Sequence, residues 1–175
     1  FSKISVGATE NILIAACFSK GVTKLRNCAM EPEVIDLIDF LKKLGCKIYK
    51  NGKRGINVHG VNSLKSVVHK VIFDRIEAGT YIIAAAITNG KVKIINVNPK
   101  ILSSEINLLR KMNVKIIKKK DYILVSTPRR IKKINLATKP YPGFPTDLQA
   151  QIMALMIKAE GVSSIKENIF GLKCS

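Results

Sequence analysis

A segment of about seventy residues recurs along this chain of 175 residues, and the repetition constrains the fold more than any single residue does. A mostly apolar helical run closing on glycine appears as GATENILIAACFSKG (7–21), IEAGTYIIAAAITNG (76–90) and TDLQAQIMALMIKAEG (146–161). The closing residues Gly21, Gly90 and Gly161 lie 69 and 71 positions apart. A second marker keeps the same phase. LKKLGCKI (41–48) and LRKMNVKI (109–116) are 68 apart, each followed by two strand-like runs. Tandem units of this length pack on their neighbours, so the chain reads as a product of duplication. It enters partway through one unit and leaves partway through another, so a piece of a larger array is expected.

Residues 1–6 alternate like a short strand, and helical runs follow at 8–19, 32–44, 75–88, 99–112 and 147–159. Strands are expected at 22–28, 46–50, 55–60, 67–73, 91–97, 114–119, 122–127, 132–138 and 162–168. The recurring order strand, helix, strand, helix, strand, strand marks an α/β chain. Its helices are of two kinds. The run at 32–44 is amphipathic, with Val34, Ile35, Leu37, Ile38, Leu41 and Leu44 in one stripe, and the run at 99–112 resembles it. By contrast, TYIIAAAIT (80–88) and NILIAACF (11–18) are apolar nearly all round, and such helices are expected to be enclosed. A seam near Val71–Phe73 divides the chain into 1–72 and 73–175, with no Gly/Ser-rich linker between them.

Several function classes lose support from composition. The formal charge of +18 invites a nucleic-acid reading, but lysine outnumbers arginine 24 to 6. The densest basic stretches, KIIKKKD (115–121) and PRRIKKI (128–134), hold no aromatic residue on which a base would stack. Specific nucleic-acid binding is therefore the alternative, and a diffuse field attracting anionic small molecules is preferred. No apolar run is long enough to span a bilayer without charges, and the opening residues lack the basic leader of a signal peptide. Cys17, Cys28, Cys46 and Cys174 form no CxxC pair and stand near no histidine at ligand spacing, so neither metal nor cofactor is expected. A reducing, cytoplasmic setting follows as the default.

Chemistry is expected in two places. In TKPYPGFPTDLQAQ (138–151), Pro140, Pro142 and Pro145 stiffen the approach to a helix, and Thr146 with Gln149 matches a capping box. Asp147 then sits in the first helical turn. It either complements the helix dipole or serves as a positioned general base acting through proximity. The second place is Lys3-Ile4-Ser5-Val6-Gly7-Ala8-Thr9, read as a strand passing through glycine into a helix start, which suits a phosphate. His59 and His69 show no partner pattern, Arg75 is read as part of a local ion pair, and Met153 and Met156 as core filling.

SVGATEN (5–11), EPEVIDLIDFLKKLG (31–45), DRIEAGT (74–80) and above all PGFPTDLQAQ (142–151) closely resemble the UDP-N-acetylglucosamine 1-carboxyvinyltransferase family, from about Lys3 to Phe170. The resemblance implies an inside-out α/β barrel of repeated βαβαββ units. Residues 1–72 would be the last unit of a first domain and 73–175 the first one and a half units of a second. It also implies transfer of the enolpyruvyl group of phosphoenolpyruvate to the 3′-hydroxyl of UDP-N-acetylglucosamine, a step of peptidoglycan synthesis. Lys3, Ser5, Val6 and Gly7 match the segment that contacts the uridine diphosphate. Asp147 matches the aspartate that contacts the sugar hydroxyl and removes its proton. Ile169 matches a hydrophobic position beside the nucleotide-sugar. The shikimate-pathway enolpyruvyl transferase and RNA 3′-end cyclases share the architecture and are the alternatives within it.

The departures bear on activity. None of the four cysteines matches the family's catalytic cysteine, whose loop lies upstream of Phe1, and the lysine-asparagine pair that holds phosphoenolpyruvate is missing. Lys173 falls where the family has an arginine, and lysine cannot supply its bidentate fork. Phe73 replaces a usual proline. The polypeptide by itself is therefore expected not to turn over.

Overall fold

A computed structural model of the chain describes residues 1–126 and 130–169. They fall into two compact units, Phe1–Ile72 and Phe73–Ser175. The first runs α1 (Val6–Ala16), β1 (Val22–Leu25), α2 (Pro32–Lys43), β2 (Lys47–Lys50) and β3 (Ile56–His59). Its sheet has the order β1-β3-β2, with β3 antiparallel to both neighbours. The second opens with α3 (Arg75–Ile87), β4 (Lys91–Ile95), α4 (Ser103–Lys111), β5 (Lys115–Lys118) and β6 (Tyr122–Ser126). Its sheet, β4-β6-β5, repeats the first pairing for pairing. His59 faces both Val22 and Lys47, and Ser126 faces both Lys91 and Lys115.

The core repeats in the same phase. Leu13, Ile38, Leu41, Ile48 and Val58 are buried in the first unit, and Ile82, Ile106, Leu109, Ile116 and Val125 are buried 67 to 69 positions later. The three described cysteines obey this rule. Cys17, Cys28 and Cys46 are buried where the second unit buries Ala86, Val97 and Val114, so they act as small apolar side chains. Burial, with a contact to the Cys46 thiol second, pushes the Cys17 thiol up to about 12. Burial also raises the Cys28 thiol, and both are therefore held as unreactive thiols.

Local chemistry explains the element ends. Pro32 opens α2, Glu33 lies in its first turn and Lys42 and Lys43 in its last, matching the helix dipole at both ends. Gly45 then takes a φ of +113°, and its counterpart Asn113 takes +74°, each in the left-handed backbone that stops a helix. Helix α4 begins at Ser103 rather than 99, because the Asn98 side chain accepts from the Lys100 amide and the Ser103 hydroxyl donates to the Lys100 carbonyl.

Four expectations need correction. Residues 1–6 and 67–73 form no strand, since neither run lies on a ladder; Phe1 is instead tied to Arg26 and Asn27. The run 132–138 is two strands, β7 (Ile131–Lys132) and β8 (Asn135–Ala137). Each has its own parallel partner, β9 (Ala159–Glu160) and β10 (Ser164–Lys166) respectively. The apolar helices are not enclosed within their units: Ile12 and Ile14 on α1 and Tyr81 on α3 stay exposed. One small sheet and one outer helix cover only part of a helix's circumference. Finally, His69 does have partners, its Nε2 donating to Asp36 Oδ2 and its Nδ1 accepting from Lys43 Nζ, each at 3.1 Å.

Glu10 on α1 carries an electrostatic load. Burial first, then Glu33 and Glu31, raises its carboxyl above the ordinary value. A raised acid favours the protonated form in the folded state, so stability falls as pH climbs from the ordinary carboxylate range to the folded value. Glu10→Gln is expected to raise the thermal midpoint at pH 7 and to lose that advantage below about pH 4, in calorimetric scans across pH.

Candidate functional site

The two sequence stretches singled out for chemistry lie in different units. In the first unit, Ser5 is the N-cap of α1, extended at φ −141°, with its hydroxyl accepting from the Ala8 amide at 3.2 Å. Its carbonyl accepts from the Thr9 hydroxyl at 2.7 Å, and that buried hydroxyl in turn accepts from the Ala29 amide at 3.0 Å. The start of α1 is thus fastened to the loop before α2. Gly7 is not a turn residue, as the sequence had suggested, but the second residue of the helix. A side chain there would meet nothing within 4 Å, which leaves the first-turn backbone open to approach. Lys3, Ser5 and Gly7 are exposed and Val6 is half-buried.

In the second unit, the proline-rich segment folds back tightly after β8. Thr138 bridges to Phe144, the Lys139 amide donates to the Phe144 carbonyl at 3.0 Å, and the Gly143 amide donates to the Pro140 carbonyl at 2.9 Å. The Tyr141–Pro142 peptide is cis. Gly143 is required here, because a Cβ would stand 2.4 Å from that of Lys139. Phe144 enters the core, and a 3₁₀ turn, Thr146–Leu148, leads into α5 (Gln149–Ile157).

DRIEAGT and PGFPTDLQAQ prove to be two sides of one contact. A Cβ on Gly79 would lie 2.6 Å from Leu148 Cδ1, so the missing side chain lets the buried Leu148 seat against α3. Three residues after Leu148, Gln151 Nε2 donates to the Thr80 hydroxyl at 3.0 Å. At the head of α3, Arg75 lies under the Tyr141 ring, 5.9 Å from its centroid, and pairs with Glu105 on α4 at 3.6 Å. Arg75 and Glu105 are 5 % and 2 % exposed, so loss of either would strand a charge away from water. The ion pair expected to be local therefore joins two helices to the proline turn.

Asp147 sits between the core anchor Leu148 and Thr146, exposed, with no hydrogen bond or ion pair to a described residue. The expected capping box does not form. Pro145 is the cap residue, and the Thr146 hydroxyl donates instead to Glu167 Oε2 at 3.0 Å, which draws it away from the helix end. The other oxygen of that carboxylate accepts from the Ile169 amide at 2.5 Å. The structure thus brings Asp147 and Ile169 to one region of the second unit. Glu167, Gly79 and Tyr141 were missed in the sequence. The glycine inside DRIEAGT was a usable signal, because glycine within a helix carries a cost that a close contact would explain. Lys173 and the closing GLKCS lie outside the described residues.

A hollow of about 400 Å³ in the first unit, lined by residues including Asp36, Phe40 and His69, contains none of the residues designated from sequence. Among the described residues, no helix is long and apolar enough to cross a membrane.

The repeated units, with a proline-braced acid before α5, are the features of an enolpyruvyl-transferase fold. The chain belongs to the EPSP synthase (3-phosphoshikimate 1-carboxyvinyltransferase) family, whose sequence profile matches residues 1–171. Within that family it is similar to the UDP-N-acetylglucosamine 1-carboxyvinyltransferase of Pelagibacter ubique, 56% identical over 97% of this chain and 41% of that protein. The enzyme of the same name from Geobacter metallireducens is 49% identical over the same shares. The crystal structure of the enolpyruvyl transferase NikO from Streptomyces tendae shares the fold, with a TM-score of 0.86 at 24% identity over 97% of this chain and 41% of that one. The chain spans about two fifths of the length of these relatives.

The Gly79–Leu148 contact yields a prediction. Gly79→Ala gains helix propensity but overpacks Leu148, for a net loss of about 1 kcal/mol in urea unfolding. Tyr141 fluorescence or the amide shifts of 146–149 are expected to change with it, because the displaced leucine carries the turn.

Proposed function

We propose that this chain forms the nucleotide-sugar side of a UDP-N-acetylglucosamine enolpyruvyl transferase. In that reaction the sugar 3′-hydroxyl attacks the enolpyruvyl carbon of phosphoenolpyruvate, and phosphate leaves. The units would be the last repeat of one domain, 1–72, and the opening repeats of the next, 73–175. Lys3 and the open start of α1 at Ser5, Val6 and Gly7 would hold the diphosphate through charge and first-turn amides. Ile169 would pack beside the nucleotide-sugar. Asp147 would accept the proton of the attacking hydroxyl.

The observation that carries this reading is the presentation of Asp147. It is exposed and engages no other described residue, on a turn whose flanking residues are all fixed: Leu148 in the core, Thr146 on Glu167, and the proline segment by its own backbone bonds. A carboxylate serving only as a cap would be spent on backbone amides, as Asp74 is on those of Ile76 and Glu77. Relatives at 49–56% identity bearing the transferase name favour the uridine-linked acceptor over a shikimate and over nucleic acid.

Two measurements test the proposal. UDP-N-acetylglucosamine is expected to raise the thermal midpoint of the chain with the logarithm of its concentration, by an amount corresponding to about 2.7 kcal/mol at a hundred times its dissociation constant. Shikimate 3-phosphate should leave the midpoint unmoved; an equal response to both would sink the acceptor assignment. Asp147→Asn, placed in a full-length transferase carrying residues 3–169 of this chain, should lower kcat roughly a hundredfold or more. Parental turnover would remove Asp147 from the chemistry.

A further inference from the structure

Glu167 lies where three separate pieces of the second unit converge, and its carboxylate is occupied by two of them. Strand β10 pairs in parallel with β8, setting Lys166 opposite Ala137. Just beyond, the Thr138 amide donates to the Lys166 carbonyl at 2.9 Å and the Asn168 amide donates to the Thr138 hydroxyl at 2.9 Å. Thr138 is fully buried and itself bridges to Phe144 at the base of the proline turn. The backbone on either side of Glu167 is therefore fixed to the element from which the turn departs.

From that fixed point the side chain reaches both ways. Oε2 takes the hydroxyl hydrogen of Thr146, the residue directly before Asp147. Oε1 takes the amide hydrogen of Ile169. The two donors lie 21 and 2 positions away: one directly precedes Asp147 and the other is the amide of Ile169, the two residues of this unit assigned to the nucleotide-sugar. With both oxygens engaged by the protein, Glu167 is placed to hold geometry rather than to move a proton. Charge-assisted bonds of this kind are short and directional, so they fix a turn more sharply than neutral bonds would.

We propose that Glu167 is a positioning residue for the transfer reaction: by clamping Thr146 and the Ile169 amide it sets the direction in which Asp147 meets the sugar hydroxyl. This rests on the function proposed above. The clamp acts on orientation, and a misplacement of about 1 Å in a reacting group can cost on the order of a hundredfold in rate.

The test is made in the full-length transferase carrying residues 3–169 of this chain. Glu167→Ala removes both bonds and is expected to lower kcat by about thirty- to a hundredfold, with KM for UDP-N-acetylglucosamine changed less than about threefold. Glu167→Gln should recover most of the loss, because its amide oxygen still takes the Ile169 hydrogen and its NH₂ donates to the Thr146 oxygen. In an Asp147→Asn background, Glu167→Ala should add less than about threefold, since the clamp works through Asp147.

Parental kcat in Glu167→Ala, or losses that multiply with Asp147→Asn, would overturn the proposal. If Glu167→Ala does not fold, Thr146→Val and Thr146→Ser decide it. A loss with valine that serine restores supports the clamp, and a silent valine refutes it. Parental turnover of Asp147→Asn would defeat the functional reading and the clamp together. An impaired Asp147→Asn with a silent Glu167→Ala would defeat the clamp alone.

Discussion

Leu148 fits against α3 only because residue 79 has no side chain, and the second unit is organised around that close approach. The leucine is the one inward-facing member of the 3₁₀ turn, so its seat fixes the height and rotation of the residues on either side. Thr146 and Asp147 are then left at the surface, one reaching Glu167 and the other reaching nothing described. The contact also brings Gln151 within range of Thr80, and the head of the same helix places Arg75 beneath Tyr141. Three unlike interactions, apolar, neutral polar and charged, thus join α3 to the stretch from Tyr141 to Gln151.

Duplication explains much of what the two units share and why their side chains differ. The sheets have the same order and register, and the buried positions correspond with a drift of only one or two residues. Asn27 and Asn96, at matching positions, have nearly the same left-handed φ, 57° and 58°. Backbone geometry is thus preserved where side-chain volume is not. A cysteine in one copy and an alanine or valine in the other satisfy the same space, which is ordinary behaviour for a core that requires volume rather than identity.

The repeat and the helix types could be read in the sequence because they depend on periodicity, which is local. GATENILIAACFSKG and IEAGTYIIAAAITNG have the same pattern because they do the same packing. What periodicity could not give was pairing over distance. The run 132–138 looks like one strand, yet it serves two partners that arrive almost thirty residues later. Thr146 with Gln149 has the spacing of a capping box, and only the folded chain shows that Glu167 competes for the hydroxyl. Asp147 stood out because the prolines before it advertise rigidity. The residues that fix its turn carry no such mark: a glutamate just past a short strand and a glycine in an apolar helix are unexceptional until their neighbours are known.

The parallel pairs framing the proline turn have a consequence for the order in which the second unit takes shape. Strands β5 and β6 meet across a short hairpin, whereas Ser164 reaches Asn135 over 29 positions. Joining distant stretches sacrifices more chain freedom before any contact repays it. The hairpin and its covering helix can therefore consolidate early, while the carboxylate-bearing loop must wait for the polypeptide to double back. Its geometry is therefore expected to form late and to be among the first parts of the unit lost when the fold loosens.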